Sequence, residues 1–381
     1  MLIPRFKPHF NHKELIAALT PSKGNIEKFE KEFAGKFECE YGVMFQHGRS
    51  ALYALLKIWN LEDAEVICPA YTCVVVPNAI VLSGNIPVFV DCEKGSVNMS
   101  YDCVNDAITS KTRAIVVTHL FGYPMDVYKI ETIVNEAEKK YKHKIYIIQD
   151  VAHSFGAKWK GELVTKFGDA ALFGLNISKI ITSIFGGMII THSEEIYMKL
   201  ISYRNKNLKK GGIIKTLKRF IYLISTYFAF NRYLYACTNW LERNEFLGKL
   251  VKYYDEFTIY FPSDWDLLPS EIEARVGLMQ LSKYDEIIST RVQNAKSHIE
   301  KLKHNNQIQL FPHIEGSTYS HFVGLVDNRN NWLNEYRKKG IQLGKLIEYS
   351  VPEMKVYIKY KQREYPVAKY YAEHTVNFPV W

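Results

Sequence analysis

Short apolar runs and amphipathic stretches alternate along the first 200 residues. The apolar runs are GVMFQ (42–46), EVICP (65–69), PVFVD (87–91), AIVVT (114–118), IYIIQD (145–150), AALFG (170–174) and GMIIT (187–191). Each is only a few residues long, and most are rich in Val and Ile, as strands buried on both faces are. Between them, Leu52, Leu55, Leu56 and Trp59 recur at i, i+3, i+4 and i+7, and Ile130, Ile133, Val134 and Ala137 repeat that spacing. That recurrence marks one face of a helix. Strands alternating with helices predict an α/β fold with a mostly parallel, seven-stranded sheet covered on both sides. Ligands bind beyond the carboxyl ends of strands in such sheets, so residues at strand ends are the first candidates for chemistry.

The pattern changes near residue 200. Residues 199–252 are basic and aromatic, with little strand character. From about residue 261, SEIEARVGLMQLSKYDEIISTRVQNAKSHIEKL (270–302) predicts one long helix and YSHFVGLV (319–326) a strand. NRNNWLNEYRKKGI (328–341) predicts a helix stopped by Gly340. The expected organisation is a large domain over 1–260, including the insertion 199–252, and a smaller C-terminal α/β domain over 261–381.

With 381 residues, 47% of them hydrophobic, the chain can bury a sizeable core. Lys and Arg outnumber Asp and Glu by 49 to 40, a modest excess that suits anionic substrates. It is too diffuse to indicate nucleic acid, and no groove-reading motif accompanies it. None of the six cysteines (Cys39, Cys68, Cys73, Cys92, Cys103, Cys237) forms a CxxC pair, and several lie in apolar runs. With no signal-peptide pattern in MLIPRFKPHFNHKE, the expectation is a reduced, cytoplasmic protein. No apolar run approaches the roughly 20 residues needed to span a bilayer.

Three strand ends carry unusual groups. In FQHGRSAL a strand runs into a helix at Gly48, where the N–H groups of Arg49 and Ser50 can hold a phosphate; a plain turn capped by Ser50 reads equally well. In IIQDVAHSFGA, Asp150 ends an apolar strand and His153 follows one helical turn on. A carboxylate there needs a cation or several hydrogen bonds, although Asp150 could simply cap the next turn. In FGLNISKIITSIFGG, Lys179 stands between two core-like runs. An amine in a desolvated crevice can become a Schiff-base nucleophile, whereas most lysines are merely solvated. An aldehyde cofactor with a pyridine ring needs such a lysine, a carboxylate for its ring nitrogen and a helix N-terminus for its phosphate. Lys179, Asp150 and the Gly48–Ser50 turn match the three needs of pyridoxal phosphate.

The segments HGRSALYALL, AEVICPAYTCVVVPNAIVLSGNIPVFVD, ITSKTRAIVVTHLFGYPMD, QDVAHSFGAKWKGELVTKFGDAALF and SKIITSIFGGMIIT resemble the DegT/DnrJ/StrS family of sugar aminotransferases. GLMQLSKYDEIISTR and YSHFVGLVDNRNNWLNEYRKKGI resemble that family's small domain. The likeness covers nearly the whole chain except 200–260. It implies a pyridoxal-phosphate transferase of fold type I, usually a homodimer with its sites at the subunit interface. Such enzymes move an amino group from glutamate to a keto sugar on a nucleotide. By resemblance Lys179 is the Schiff-base lysine, Asp150 the partner of the ring nitrogen, and His153 a neighbour of the ring and its phenolic oxygen. Gly48, Arg49 and Ser50 match the phosphate turn.

The departures matter as much. Arg49 stands where the family often has Thr, and Gly174 where a serine usually supplies a phosphate hydroxyl, so Asn176 or Arg49 is the expected substitute. Cys73 occupies the position of the ring-stacking aromatic, with Tyr71 nearby. Asp266 and Leu268 replace an Asn and an Arg ahead of the small-domain helix, and the chain stops at NFPVW, earlier than many relatives. These changes keep a second class of function open: a non-catalytic homologue that binds a nucleotide sugar or a partner. Residues 199–252 hold twelve Lys or Arg and two acidic residues, Glu242 and Glu245, interleaved with aromatics that include Phe220, Tyr222, Tyr227, Phe228, Phe230, Tyr233, Tyr235 and Trp240. The segment suits either packing against a partner subunit or peripheral contact with a membrane.

Overall fold

The computed structural model describes residues 2–244 and 255–381. All seven expected strands form, within two residues of their expected limits. They are β1 (Tyr41–Phe45), β2 (Glu65–Pro69), β3 (Ile86–Val90), β4 (Thr112–Thr118), β5 (Tyr146–Asp150), β8 (Ala170–Gly174) and β9 (Gly187–Thr191). A short hairpin, β6 (Lys158–Trp159) and β7 (Glu162–Leu163), lies outside the sheet. The sheet order is β1-β9-β8-β5-β4-β2-β3. The pairs from β3 through to β8 are parallel, and β9 runs antiparallel to both β1 and β8. All five residues of β8 and of β9 are buried, which explains why their sequences read as unbroken apolar runs.

Around the strands lie α1 (His12–Leu19), α2 (Asn25–Lys36), α3 (Gly48–Ile58), α4 (Val75–Leu82), α5 (Tyr101–Ala107), α6 (Val127–Tyr141) and α7 (Glu194–Asn207). The predicted faces are the ones buried: Leu52, Leu55 and Leu56 on α3, and Ile130, Ile133, Val134 and Ala137 on α6. Trp59 caps α3 and stacks on Tyr146 with ring centroids 4.0 Å apart.

The long helix expected over 270–302 is two helices, α10 (Glu271–Leu281) and α11 (Tyr284–Leu302). The break at Ser282–Lys283 has a packing cause. Helix α10 lies against α1 and α2, while Lys283 reaches Glu14 and Tyr284 packs on Phe37 and donates to the Phe155 carbonyl at 2.9 Å. One straight helix could not serve both sets of partners. A three-stranded antiparallel sheet follows, β10 (Gln309–Leu310), β11 (Phe322–Leu325) and β12 (Thr375–Phe378), with α12 (Arg329–Lys338) and α13 (Pro366–His374). As the sequence suggests, Gly340 ends the chain's run through α12 with a left-handed φ of 78°.

Residues 199–244 form the end of α7, then α8 (Ile213–Ala229) and α9 (Tyr235–Arg243). Not all of their cations are solvated. Lys215 and Arg219 are buried, Lys215 Nζ lying 3.2 Å and Arg219 Nε 2.7 Å from the Glu273 carboxylate. Arg219 also pairs with Asp264, which accepts from His47 Nε2 at 2.7 Å, and Gln46 donates to Glu273 at 3.0 Å. The insertion is thereby tied to the end of β1. Glu245, Lys249 and Lys252 lie outside the described residues. Among the described residues, no helix is long and apolar enough to cross a membrane.

Candidate active site

Strand β1 passes into α3 through His47, whose extended backbone (φ −145°, ψ 156°) makes it the N-cap without a side-chain capping bond. The first backbone bond of the helix is Ala51 N–H to His47 O at 3.0 Å. Gly48, Arg49 and Ser50 therefore lead the helix with their amides ahead of the intrahelical ladder. Ser50 is not the cap: it sits inside the first turn, and its buried hydroxyl donates to the Trp265 carbonyl at 3.0 Å. Any anion held there meets the Ser50 N–H, not its oxygen. The half-buried Arg49 side chain lies close enough to Tyr357 to act on its hydroxyl as a charge. Backbone closeness demands glycine at position 187. A Cβ on Gly187 would stand 2.5 Å from Gly48 N and from the His47 carbonyl, whereas one on Gly48 would make ordinary contact, 3.4 Å from Gly174 Cα.

Asp150 ends β5 and is only 5% exposed. One carboxylate oxygen accepts from Ala152 N–H at 3.1 Å and the other from Thr118 Oγ1 at 3.3 Å, at the neighbouring end of β4. Asp150 does cap the following turn, as the plain reading allowed, and it also faces Lys179. Burial raises its pKa, and the Ala152 amide, the Lys179 ammonium and Thr118 oppose the rise. His153 does not lie one helical turn further on. Residues 151–157 form successive tight turns, closed by Ser154 N–H to Val151 O and Ala157 N–H to Ser154 O. These carry the His153 ring onto Phe121, nearly parallel at 5.8 Å, and to 5.4 Å from the His321 ring. Its Nδ1 is buried without a hydrogen-bond partner. Burial, Lys179 and His321 hold its pKa well below the usual histidine value, so the ring is neutral.

Lys179 stands in the loop after β8, its N–H bonded to Asn176 O at 3.0 Å. Its side chain folds back over the strand end, and a Cβ on Gly174 would lie 3.2 Å from Lys179 Cε and 3.6 Å from Ala152 Cβ. The space of the missing serine at 174 is thus filled by the lysine stem. Burial lowers the Lys179 pKa, while Cys73 and Asp150 pull it back up. Cys73 is half-buried just before α4. Tyr71 is fully buried, with its ring 6.0 Å from Phe121.

The structure therefore gathers Lys179, Asp150, His153, Cys73, Gly174 and the Gly48 turn at the carboxyl ends of β4, β5 and β8. The Asn176 side-chain oxygen accepts from Ser178 N at 3.0 Å and Ser178 Oγ at 2.7 Å within its own loop. Asp266 pairs with Lys209 at 2.8 Å, and the Leu268 carbonyl accepts from Lys215. The sequence reading missed Phe121 and His321. His321 sits at the start of a predicted strand, and Phe121 has the left-handed φ of 58°, a strained conformation for an aromatic residue. HLFGYP, with its Gly and Pro, was the available signal. The residues present fit pyridoxal phosphate: an amine, a buried carboxylate, an unpartnered imidazole nitrogen and a helix N-terminus without a side-chain cap converge.

The family model described as "DegT/DnrJ/EryC1/StrS aminotransferase family" matches residues 17–232 and 269–381. GDP-perosamine synthase of Escherichia coli O157:H7 is 35% identical over 215 residues, 54% of this chain and 57% of that protein. A dTDP-4-dehydro-2,6-dideoxy-D-glucose 3-dehydratase of Saccharopolyspora spinosa is 29% identical over 284 residues, 71% of this chain and 55% of that protein. The chain thus spans little more than half the length of these relatives. The solved sugar aminotransferase CalS13 from Micromonospora echinospora shares the fold at 18% identity, with a TM-score of 0.79 over 100% of this chain and 95% of that one. The chain belongs to the DegT/DnrJ/EryC1/StrS aminotransferase family, pyridoxal-phosphate-dependent enzymes of fold type I.

Proposed function

We propose that this protein transfers an amino group from glutamate to a keto sugar carried on a nucleotide, in building surface polysaccharide or another glycoconjugate. We further propose that it works as a homodimer in the cytoplasm, where its six free thiols stay reduced. The observation that carries the reading is the Lys179 amine, lying over Gly174 beside Asp150 with its pKa lowered by burial. Bound pyridoxal phosphate supplies an electron sink for the carbon that gains or loses the amino group.

The chain's own residues divide the remaining work. The α3 amides of Gly48, Arg49 and Ser50 hold the phosphate, with the Arg49 charge compensating for Gly174. Asp150, anchored by Ala152 and Thr118, holds the proton on the ring nitrogen. Neutral His153 offers its unpartnered Nδ1 to a polar oxygen on the ring. Cys73, beside Lys179, would line the site of the ring. Lys179 attaches the cofactor, and its burial favours the free amine that takes and returns the proton at the reacting carbon. By the family resemblance, a sugar dehydratase would carry histidine at the position of Lys179, so Lys179 favours transfer over dehydration.

The test is direct. Protein loaded with pyridoxal phosphate is expected to form 2-oxoglutarate from glutamate in step with an aminated sugar nucleotide. A panel of nucleotide-linked keto sugars yielding neither product would count for the non-catalytic alternative.

A further inference from the structure

Helix α8 is turned inside out. It has 17 residues and no acidic one, and it buries Lys215, Arg219, Leu223 and Thr226. Outward it presents Ile213 (85% exposed), Ile214 (67%), Leu217 (56%), Ile221 (54%) and Phe228 (52%). At 3.6 residues per turn, Ile214, Leu217, Ile221 and Phe228 fall within an arc of about 60°, opposite Lys215 and Arg219. The cause is the buried Glu273 carboxylate, which draws both cations inward and leaves the aliphatic stripe in water. The stripe leads into the exposed Tyr233 and Leu234 of the next turn, and α9 then exposes Trp240. Single exposed apolar residues are ordinary, but a continuous stripe of them marks a contact surface.

Charge identifies the occupant. Lys206, Lys210, Lys218 and Arg243 are exposed along the same stretch. A second copy that set α8 against α8 across a two-fold axis would bring like charges together, with no acidic residue on α8 to receive them. An anionic lipid surface complements both features at once: headgroups meet the cations, and the acyl boundary receives the aliphatic stripe and rings. The helix is about 25 Å long and amphipathic, dimensions for lying in the interface. We propose that α8 and the turn after it are a peripheral docking face for an anionic bilayer. The inference rests on the helix's orientation and not on the chemistry at Lys179.

The protein, residues 1–381, is sedimented with vesicles of phosphatidylcholine alone or mixed with phosphatidylglycerol, at low and high salt. It is expected to pellet with the anionic vesicles and to be released by salt. Leu217→Ser/Ile221→Ser, at exposed positions, is expected to abolish pelleting with an unchanged unfolding midpoint. Lys218→Glu is expected to weaken it by at least about fivefold, since each cation near an anionic surface contributes about that factor. Wild type that stays in the supernatant in every condition overturns the proposal. So does a Leu217→Ser/Ile221→Ser protein that binds vesicles like wild type, or one that merely dissociates from a dimer to a monomer.

Discussion

Replacing Glu273 by alanine tests the buried network that joins the insertion to the cofactor turn. The Glu273 side chain is 1% exposed and takes bonds from Lys215 (3.2 Å), Arg219 (2.7 Å), Gln46 (3.0 Å), and Ser270 N–H (2.9 Å) and Oγ (2.7 Å). Its loss leaves two buried cations, and breaking a buried pair in this way costs about 3–5 kcal/mol. Arg219 keeps Asp264, which puts the expected loss near the lower end, about 3 kcal/mol. Glu273→Gln keeps the shape and some hydrogen bonds, for a smaller loss of about 1–3 kcal/mol. Burial alone would raise the Glu273 pKa, but Lys215 and Arg219 outweigh it and hold it below the usual value. A carboxylate depressed in the fold stabilises above its unfolded pKa, and that stability disappears as pH falls through the folded one. The assay is urea unfolding by circular dichroism at several pH values. Wild type and Glu273→Ala should differ by about 3 kcal/mol at pH 7 and converge in acid. A difference under about 1 kcal/mol at pH 7 would refute the assignment of the network as a stabilising one.

Asp150→Asn is expected to keep the visible band of the bound cofactor while turnover falls by about a hundredfold or more, because an amide cannot hold the ring nitrogen protonated; near-normal turnover removes Asp150 from that role. His119 is fully buried, and burial, partly offset by Gln149, lowers its pKa from 6.5 to about 4. The unfolded chain therefore takes up this proton first, so the histidine's contribution is complete above pH 6.5 and is lost between 6.5 and 4, by about 3 kcal/mol in all. Urea midpoints of His119→Gln followed from pH 7 to 4 should lack that share of the acid loss, and parallel curves would contradict it. Gly187→Ala sets a Cβ against the Gly48 and His47 backbone, which is expected to cost about 1–3 kcal/mol and to weaken cofactor binding; a wild-type midpoint and affinity would show that the turn yields freely. Arg49→Ala should raise the cofactor's dissociation constant, and an unchanged constant would leave the phosphate to the α3 amides alone.

The sheet was legible because its strands are buried on both faces, so AALFG and GMIIT have no competing reading as amphipathic helices. The positions of Asp150 and Lys179 followed from the same strands, since strand ends define the crevice. What stayed hidden depended on distant partners. The break at Ser282 answers to Glu14, Phe37 and Phe155, none of which leaves a mark on the helical period. His153 looked helical because DVAHS has no strong breaker before Gly156, and its turns are set instead by Ser154 and Ala157 bonding backwards. The inversion of α8 was equally invisible, because the sequence displays one apolar and one basic face without saying which meets Glu273. Gly174 read as a lost hydroxyl, and only the fold shows the Lys179 stem in its place.

The central claim is that Lys179 is the residue that bonds the cofactor. The most direct measurement is the visible absorption spectrum of the protein loaded with pyridoxal phosphate, before and after borohydride, with peptide mapping of the reduced product. Wild type is predicted to show a band that borohydride abolishes, fixing the cofactor to the peptide containing Lys179, and Lys179→Ala to show neither the band nor the labelled peptide. A wild-type protein without the band, or a label fixed to another lysine, would contradict the account.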